Sequence, residues 1–249
     1  MASPRADLIL EHLSRNSPST IEELADLLNV SSVTIRRDLA ELEKSGQIIR
    51  QRGSASIANN RLEPMFVQRE KQNADLKKKI AKFAAEQISE GEVIALDVGT
   101  TTAELAKELL KKNNLTVFTN SLQAASILSR SQHNVYLVGG FIRKSEMSMV
   151  GSIARDTIMK FNFDRYFLAL AGISKTEGPT DYNLEDAEIK RCFIERSKEV
   201  IALIDKTKIG KTSLVKVCDM DQITTIITNH DDHISVKDTL EFNGNIYLV

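Results

Sequence analysis

The chain has 249 residues, 42% hydrophobic and 27% charged, with a formal net charge of −1. That balance supports a packed core and excludes wholesale disorder. No apolar run approaches the ~20 residues that span a bilayer, and the opening Met1-Ala-Ser-Pro-Arg-Ala-Asp7 lacks an apolar signal segment, so a cytoplasmic protein with no membrane partner is expected. Cys192 and Cys218 lack metal-ligand spacing and read as reduced thiols. The histidines (12, 133, 230 and 233) are scattered, and His230-Asp-Asp-His233 reads as a polar turn, so no metal or other cofactor is expected.

In chain order, Leu8, Ile9 and Leu13 recur at helical spacing and predict a helix from about Arg5 to Ser14. Thr20 with Glu23 forms a capping-box pattern before Leu24, Leu27 and Leu28. This second helix is expected to end near Asn29, which tolerates the left-handed conformation. Ser31 is placed to cap a third helix, Ser32 to Lys44, ended by Gly46. Two helices joined by so short a turn are a helix-turn-helix pattern. On the third helix Ile35, Leu39 and Leu42 share one face, while Val33, Thr34, Arg36 and Arg37 fall on the opposite arc. A methyl-bearing hydroxyl and two guanidiniums suit base edges and phosphates in a major groove.

Ile48-Ile49 and Ile57 flank Arg50-Gln-Arg52-Gly53, which predicts a hairpin, or wing, with Arg50 and Arg52 near its tip. Residues 1–57 hold seven basic and eight acidic side chains, so this domain is not basic overall. From Ser45 through Arg61, however, there are three arginines and no acid. Phosphate contacts need positive charge at the contact surface, not over the whole protein.

The run Val30-Ser-Ser-Val-Thr-Ile-Arg-Arg-Asp-Leu39, with Leu42 and Gly46, resembles the signature of the DeoR family of bacterial sugar-metabolism repressors. The resemblance implies that the helix from Ser32, with Ser31 at its start, enters the major groove of operator DNA and that the wing touches the backbone. The family's usual Gly-Gly-Ala wing tip is replaced here by Gly53-Ser54-Ala55.

Residues 58–75 are polar, contain Pro64 and read as a linker. A helix is expected from Asp75 to Ser89, with the run Lys77-Lys78-Lys79 on a solvated face. Over 76–249 the pattern alternates. Apolar runs at 93–97, 115–119, 135–138, 166–170, 199–204, 224–228 and 246–249 are separated by helical segments, among them Thr102–Lys112, Ser121–Arg130, Ser152–Phe161 and Glu185–Ser197. Nearly continuous apolar strands between helices predict an α/β domain whose parallel sheet is covered on both faces. The expected order is therefore a winged helix-turn-helix over 1–57, a linker over 58–75 and a larger α/β domain over 76–249.

In such sheets ligands bind beyond the carboxyl ends of the strands. The first strand ends in Asp97-Val98-Gly99-Thr100-Thr101-Thr102 before a helix, a glycine- and hydroxyl-rich start that favours an anion. The second ends in Thr119-Asn120-Ser121. The third ends in Gly139-Gly140, with Arg143 and Lys144 just beyond. A later one ends in Asp205-Lys206-Thr207-Lys208-Ile209-Gly210-Lys211, where lysines can neutralise a phosphate. These strand ends, with the stretch Asn183-Leu-Glu-Asp-Ala-Glu-Ile-Lys190, also resemble the DeoR sensor domain, itself similar to sugar-phosphate isomerases and CoA transferases. The resemblance implies a phosphorylated sugar effector held by Thr100, Thr101, Thr102, Asn120, Ser121 and Lys208, with Asp181, Asn183, Glu185 and Lys190 near the sugar hydroxyls. It also implies a homodimer or homotetramer, relieved from operator DNA by the effector. Two departures stand out: Asp205-Lys-Thr-Lys-Ile in place of Asp-x-Ser-Lys-Phe, and Ala169 where Gly is common.

The main alternative is a sugar-phosphate isomerase carrying a DNA-binding domain. Proton transfer on a sugar needs a carboxylate at the reacting carbon. Glu185 and Asp181 are the acids on offer, and Leu168–Gly172 holds none. A purely architectural DNA-binding protein is the third class, disfavoured by the specialised strand ends.

Overall fold

The computed structural model describes residues 4–16, 18–44, 47–57, 63–64, 66–229 and 233–249. The expected helix end at Gly46, Arg61 and the turn over 230–232 lie outside them. Contacts divide the chain into two compact units, 1–64 and 65–249.

The first unit runs α1 (Pro4–Arg15), β1 (Ser19–Thr20), α2 (Ile21–Leu28), α3 (Ser32–Lys44), β2 (Ile48–Gln51) and β3 (Ser54–Ile57). Local chemistry sets the helix ends. The Glu23 amide donates to Thr20 Oγ1 (3.2 Å) and the Thr20 amide donates to Glu23 Oε2 (2.7 Å), completing the capping box. Asn29 ends α2 in the left-handed region at φ 51°. The wing is an antiparallel β2–β3 hairpin, and β1 adds to β3. Gly53 turns it at φ +84°, and its carbonyl accepts from the Ile21 amide (3.1 Å), tying the wing to the start of α2. Ile9, Leu13, Leu24, Ile35, Leu39 and Ile48 form the buried core of this unit.

The second unit opens with α4 (Phe66–Lys71) and α5 (Ala74–Glu86). Residues 66–71 and 74–75, expected as linker, are thus helical, and the connector before α4 is correspondingly shorter. Then follow β4 (Val93–Leu96), α6 (Thr100–Leu109), β5 (Thr116–Thr119), α7 (Leu122–Leu128), β6 (Asn134–Leu137), β7 (Phe141–Arg143), β8 (Ser148–Val150), α8 (Ser152–Ile158), β9 (Phe163–Leu168), β10 (Gly172–Ser174), β11 (Gly178–Asp181), α9 (Leu184–Glu195), β12 (Ser197–Leu203), β13 (Val215–Lys216), β14 (Thr225–Thr228), α10 (His233–Leu240) and β15 (Asn245–Leu248). Seven strands form one sheet, ordered β15-β14-β12-β9-β4-β5-β6, with every pair parallel.

Alternation along the strands builds two cores. Ile94, Leu96, Val117 and Leu203 pack with α5, α6 and α7 on one face. Ala95, Phe118, Tyr166 and Ala202 pack with α8, α9 and α10 on the other. The expected parallel sheet with two covered faces is therefore present. The β7–β8 hairpin and the β10-β11-β13 sheet were not anticipated. Strands of two to four residues carry no period to detect.

The chain leaves β4 towards β5 and β6, then crosses back to β9 on the other side. β4 and β9 therefore flank the switch point of the sheet, the place beyond the strand ends where such sheets bind ligands. Gly140, past the end of β6, has φ +133°, and a Cβ there would lie 2.5 Å from the Val150 carbonyl oxygen. Gly140→Ala is expected to lower unfolding free energy by about 2–5 kcal/mol. Gly91→Ala, at φ +83° but in open space, should cost only about 1 kcal/mol. Urea unfolding followed by circular dichroism measures both, and equal losses would contradict the close approach.

Candidate DNA interface and ligand site

Helix α3 presents the face expected from its periodicity. Ile35, Leu39 and Leu42 are buried, while Arg36 and Arg37 are exposed and Val33 is 70% exposed. Ser31 Oγ accepts from the Thr34 amide (3.2 Å) and lies 2.9 Å from Thr34 Oγ1. These two hydroxyls form a cap, whereas Ser32 begins the helix half-exposed. Arg52 stands exposed beside the wing turn. Arg50 instead lies within β2, half-buried, with Glu43 Oε2 of α3 at 3.6 Å, so part of its charge is already answered within the unit.

One contact that the sequence does not announce holds this helix in place. Arg5 of α1 grips buried Asp38 of α3 with two N–H groups, Nη2 donating to Oδ1 at 3.0 Å and Nε to Oδ2. The partners are 33 residues apart. Asp38 follows the exposed pair Arg36-Arg37 and keeps its own carboxylate turned inward.

At the switch point, Asp97 is fully buried. Its Oδ1 accepts from the Val98 amide (2.8 Å), and its Oδ2 accepts from the Ala169 amide (3.0 Å) and from Lys190 Nζ. Lys190, 1% exposed, also donates to the Ala169 carbonyl (3.0 Å) and pairs with Asp181 Oδ2 (3.0 Å). A lysine ammonium has three donors, and all three are used. Burial pushes the Asp97 carboxyl up to about 6, with Lys190 opposing. Burial works against the Lys190 charge as well, but Asp181 and Asp97 overrule it and hold the ammonium above the ordinary lysine range.

Several residues expected at the effector have structural occupations. Asn183 Oδ1 caps α9, accepting from the amides of Glu185 (2.8 Å) and Asp186 (3.3 Å). Glu185 itself is exposed. Arg143 pairs with Asp186, whose other oxygen accepts from Ser148 Oγ (2.8 Å). Burial raises the Asp186 carboxyl, and Arg143 opposes it. Thr102 Oγ1 donates to the Gly99 carbonyl (3.0 Å), and Ser121 Oγ accepts from the Ala124 amide (3.1 Å). Gly99 must lack a side chain because a Cβ there would sit 2.6 Å from the Ala169 methyl. Gly139 is half-exposed, and Lys206 is exposed on a short 3-10 turn.

Other expected residues keep polar capacity. Thr100 and Thr101 open α6 in its first turn, buried, and their hydroxyls form no hydrogen bond among the described residues. Asn120 follows directly on the Leu96–Thr119 register pair. It is fully buried, yet neither its amide nitrogen nor its oxygen has a partner. Lys208 is half-buried, and burial pulls its ammonium below the ordinary range.

Lys77 was expected on a solvated face and is instead 5% exposed, its Nζ donating to the Arg69 carbonyl of α4. Burial brings its ammonium down to about 8. Lys208 and Arg69 add to the effect and Asp205 opposes it. Arg69 in turn pairs with buried Glu146 of the β7–β8 loop. Lys77 was findable: it stands three residues before Ile80 and seven before Ala84, on the apolar stripe of α5. Among the described residues, no three His, Cys, Asp or Glu side chains are placed to hold a metal ion, and no helix is long and apolar enough to cross a membrane.

A winged helix-turn-helix with an exposed recognition face, followed by a doubly wound sheet with buried polar side chains at its switch point, defines the class: a ligand-responsive DNA-binding regulator. Residues 5–61 match the DeoR-like helix-turn-helix domain and residues 72–230 the DeoR C terminal sensor domain. The chain belongs to the DeoR family and is a sequence-specific DNA-binding transcription regulator. It is 32% identical over 245 residues to the HTH-type transcriptional regulator GlpR of Haloferax volcanii, covering 98% of this chain and 96% of the relative. Identity is 34% over 243 residues to the HTH-type transcriptional repressor GlcR of Bacillus subtilis, covering 97% and 93%. The Glycerol-3-phosphate regulon repressor of Escherichia coli is 29% identical over 233 residues, covering 93% and 92%. Among solved structures, ribose 5-phosphate isomerase a from Methanocaldococcus jannaschii aligns over 55% of this chain and 54% of its own at 19% identity, with a TM-score of 0.42.

Lys190→Met is expected to cost about 3–5 kcal/mol, because it strands two buried carboxylates. Asp97→Asn added to it should recover part of the loss. The deficit should shrink as pH falls towards about 6 and level off below it, because the Asp97 carboxyl rises further once Lys190 no longer opposes burial and takes up its proton where the wild type is still ionised. Urea unfolding across pH checks the sign; a deficit that grew on acidification would contradict the ion-pair role.

Proposed function

We propose that this regulator is a cytoplasmic, homo-oligomeric repressor of a carbohydrate-utilisation operon, relieved when a phosphorylated sugar or sugar derivative binds at the sheet switch point. The observation that carries this reading is Asn120, a fully buried amide with both polar atoms unpartnered, one strand from the free hydroxyls of Thr100 and Thr101 at the start of α6. Buried polar groups without partners are rare and costly. Placed beside a helix N-terminus, they suit an anionic, hydrogen-bonding ligand. Lys208 supplies the countercharge. Asp97, Asp181, Asn183, Arg143 and Lys190 then act as the frame of the pocket, reaching the sugar only if their present bonds exchange. Relatives named as repressors, one of them of a glycerol-3-phosphate regulon, support both the direction of control and the ligand class.

An isomerase reading is disfavoured by geometry. Asp97 and Asp181 are bound to Lys190, Glu185 is exposed, and the 168–172 stretch carries no acid, so none of the acids named for proton transfer is both buried and unpaired.

A thermal-shift screen with ribose 5-phosphate, glucose 6-phosphate, fructose 1-phosphate and glycerol 3-phosphate tests the sensor. A ligand at a hundred times its dissociation constant adds ~2.7 kcal/mol. Thr101→Val should abolish that shift while operator binding persists; loss of both would mark the residue as structural. Weakened operator affinity in the presence of the stabilising sugar phosphate is expected, and tightened affinity would overturn the derepression half. For the DNA half, Arg37→Ala should cost roughly 1–3 kcal/mol of specific binding if it reads a base, and less, independent of sequence, if it touches phosphate. Fluorescence anisotropy on operator and scrambled duplexes separates the two.

A further inference from the structure

The β6 edge of the sheet is unlike the rest of the sensor unit. Strands β4, β5 and β12 bury their apolar side chains at their carboxyl halves, as a doubly wound sheet requires. β6 ends the sheet and leaves Tyr136 50% exposed and Leu137 39% exposed. The exposed apolar surface continues around it. Tyr136 stacks on Phe118 with ring centroids 4.5 Å apart and lies 6.3 Å from the ring of Phe161. Ile153, 64% exposed, reaches back to Gly139, where an added Cβ would stand 3.4 Å from its Cγ2. Phe141, 68% exposed, begins the next strand. On the other face Leu137 and Val135 border an open recess of about 370 Å³ against α7.

We propose that a second copy of this chain docks on the β6 edge, covering Tyr136, Leu137, Phe141, Ile153 and Phe161. The areas fit. With aromatic side chains of this size carrying ~150–250 Å², the exposed parts of these five amount to on the order of 500 Å². A stable interface covers about 800 Å² per partner, about 56–65% of it apolar, which calls for an apolar contribution of the same size. The chemistry selects the partner. From His133 to Ile142 there is no Asp, Glu, Lys or Arg, and the exposed charges beside Ile153 and Phe161 (Arg155, Asp156 and Lys160) are of both signs, so neither nucleic acid nor a peptide of one charge is matched. Natural edge strands are ordinarily guarded by lysine, proline or a cover, and β6 has no such guard within its own residues. A mainly apolar surface bordered by charges of both signs is complementary to itself, so the same face serves on both subunits across a two-fold axis. A regulator that reads operator half-sites needs two recognition helices, and a second copy supplies the other.

Sedimentation velocity of the full chain, without DNA or sugar phosphate, decides the matter independently of the sensor reading. The wild type is expected to dimerise at micromolar concentration. Phe141→Asp and Tyr136→Asp should each weaken the dimer by about thirtyfold or more, while Leu110→Asp, an exposed apolar position on the C-cap of α6, should leave it unchanged. Circular dichroism melts confirm that each variant folds. Hydrogen exchange on the unaltered protein gives a second reading: amides of 134–142 should gain protection as concentration rises. A monomeric wild type, dimers indifferent to both β6 substitutions, or concentration-independent exchange over 134–142 would each overturn the proposal.

Discussion

Everything at the carboxyl end of the sheet depends on one ammonium. Lys190 reaches from α9 to the ends of β4, β9 and β11 through Asp97, the Ala169 carbonyl and Asp181. Three acceptors for three donors make the charge tolerable in a place where water does not reach. Removing one partner from such a cluster costs far more than forming it gains, so its worth is conformational. It fixes which backbone groups line the crevice at the switch point. Ala169 tightens the same junction, because its methyl fills the space that a side chain on Gly99 would need. The family more often has glycine at position 169.

The polar groups around that frame fall into two sets. Asn183, Asp186, Arg143, Thr102 and Ser121 spend their hydrogen bonds on helix starts and the β7–β8 hairpin. Asn120 does not, and the hydroxyls of Thr100 and Thr101 make no hydrogen bond among the described residues. A cluster of cations also gathers at Asp205: Lys77, Lys208 and Lys211 all feel its charge, while Glu104 and Asp181 answer part of the cluster and Glu146 holds Arg69. Burial lowers each of the three lysines, and the neighbouring positive charges lower them further. An arriving phosphate would relieve both strains at once, since it answers the orphaned hydrogen-bonding groups and the mutual repulsion of the cations.

What could be read from the sequence tracks what is local. The capping box at Thr20 and Glu23, the left-handed Asn29, the apolar stripe of α3 and the Asp97–Thr102 strand end are set by neighbours within a few residues, and each stands where the pattern places it. What escaped is set by distance along the chain. The Arg5–Asp38 grip joins residues that share no motif. β10, β11 and β13 are too short to show a period, and α4 follows Pro64 within what composition marks as linker. Lys77 is the instructive case. Its charge invites a surface reading, but its helical position lies on the core stripe, and position decides because a helix cannot turn one residue outward alone. Among the acids and bases expected to face the sugar, spacing cannot reveal which are already engaged with one another, as Lys190 is with Asp97 and Asp181.

The modest charge of the DNA-binding unit also has a thermodynamic use. Non-specific affinity comes from phosphate neutralisation and rises with the number of cations presented. Here Arg36, Arg37 and Arg52 are exposed, Arg50 is partly answered by Glu43, and Asp38 is held by Arg5. If few phosphates are contacted, the salt dependence would be shallow and the background on arbitrary sequence low, and base contacts from α3 would weigh more in the total. That suits a switch. Coupling between an effector and a distant site is typically worth 1–3 kcal/mol, a change of about 5–150-fold. A protein bound mainly by charge would stay on DNA after such a change. One bound mainly by a few specific contacts would be released by it, and the uncharged half of the recognition face would then matter to control alongside the arginines.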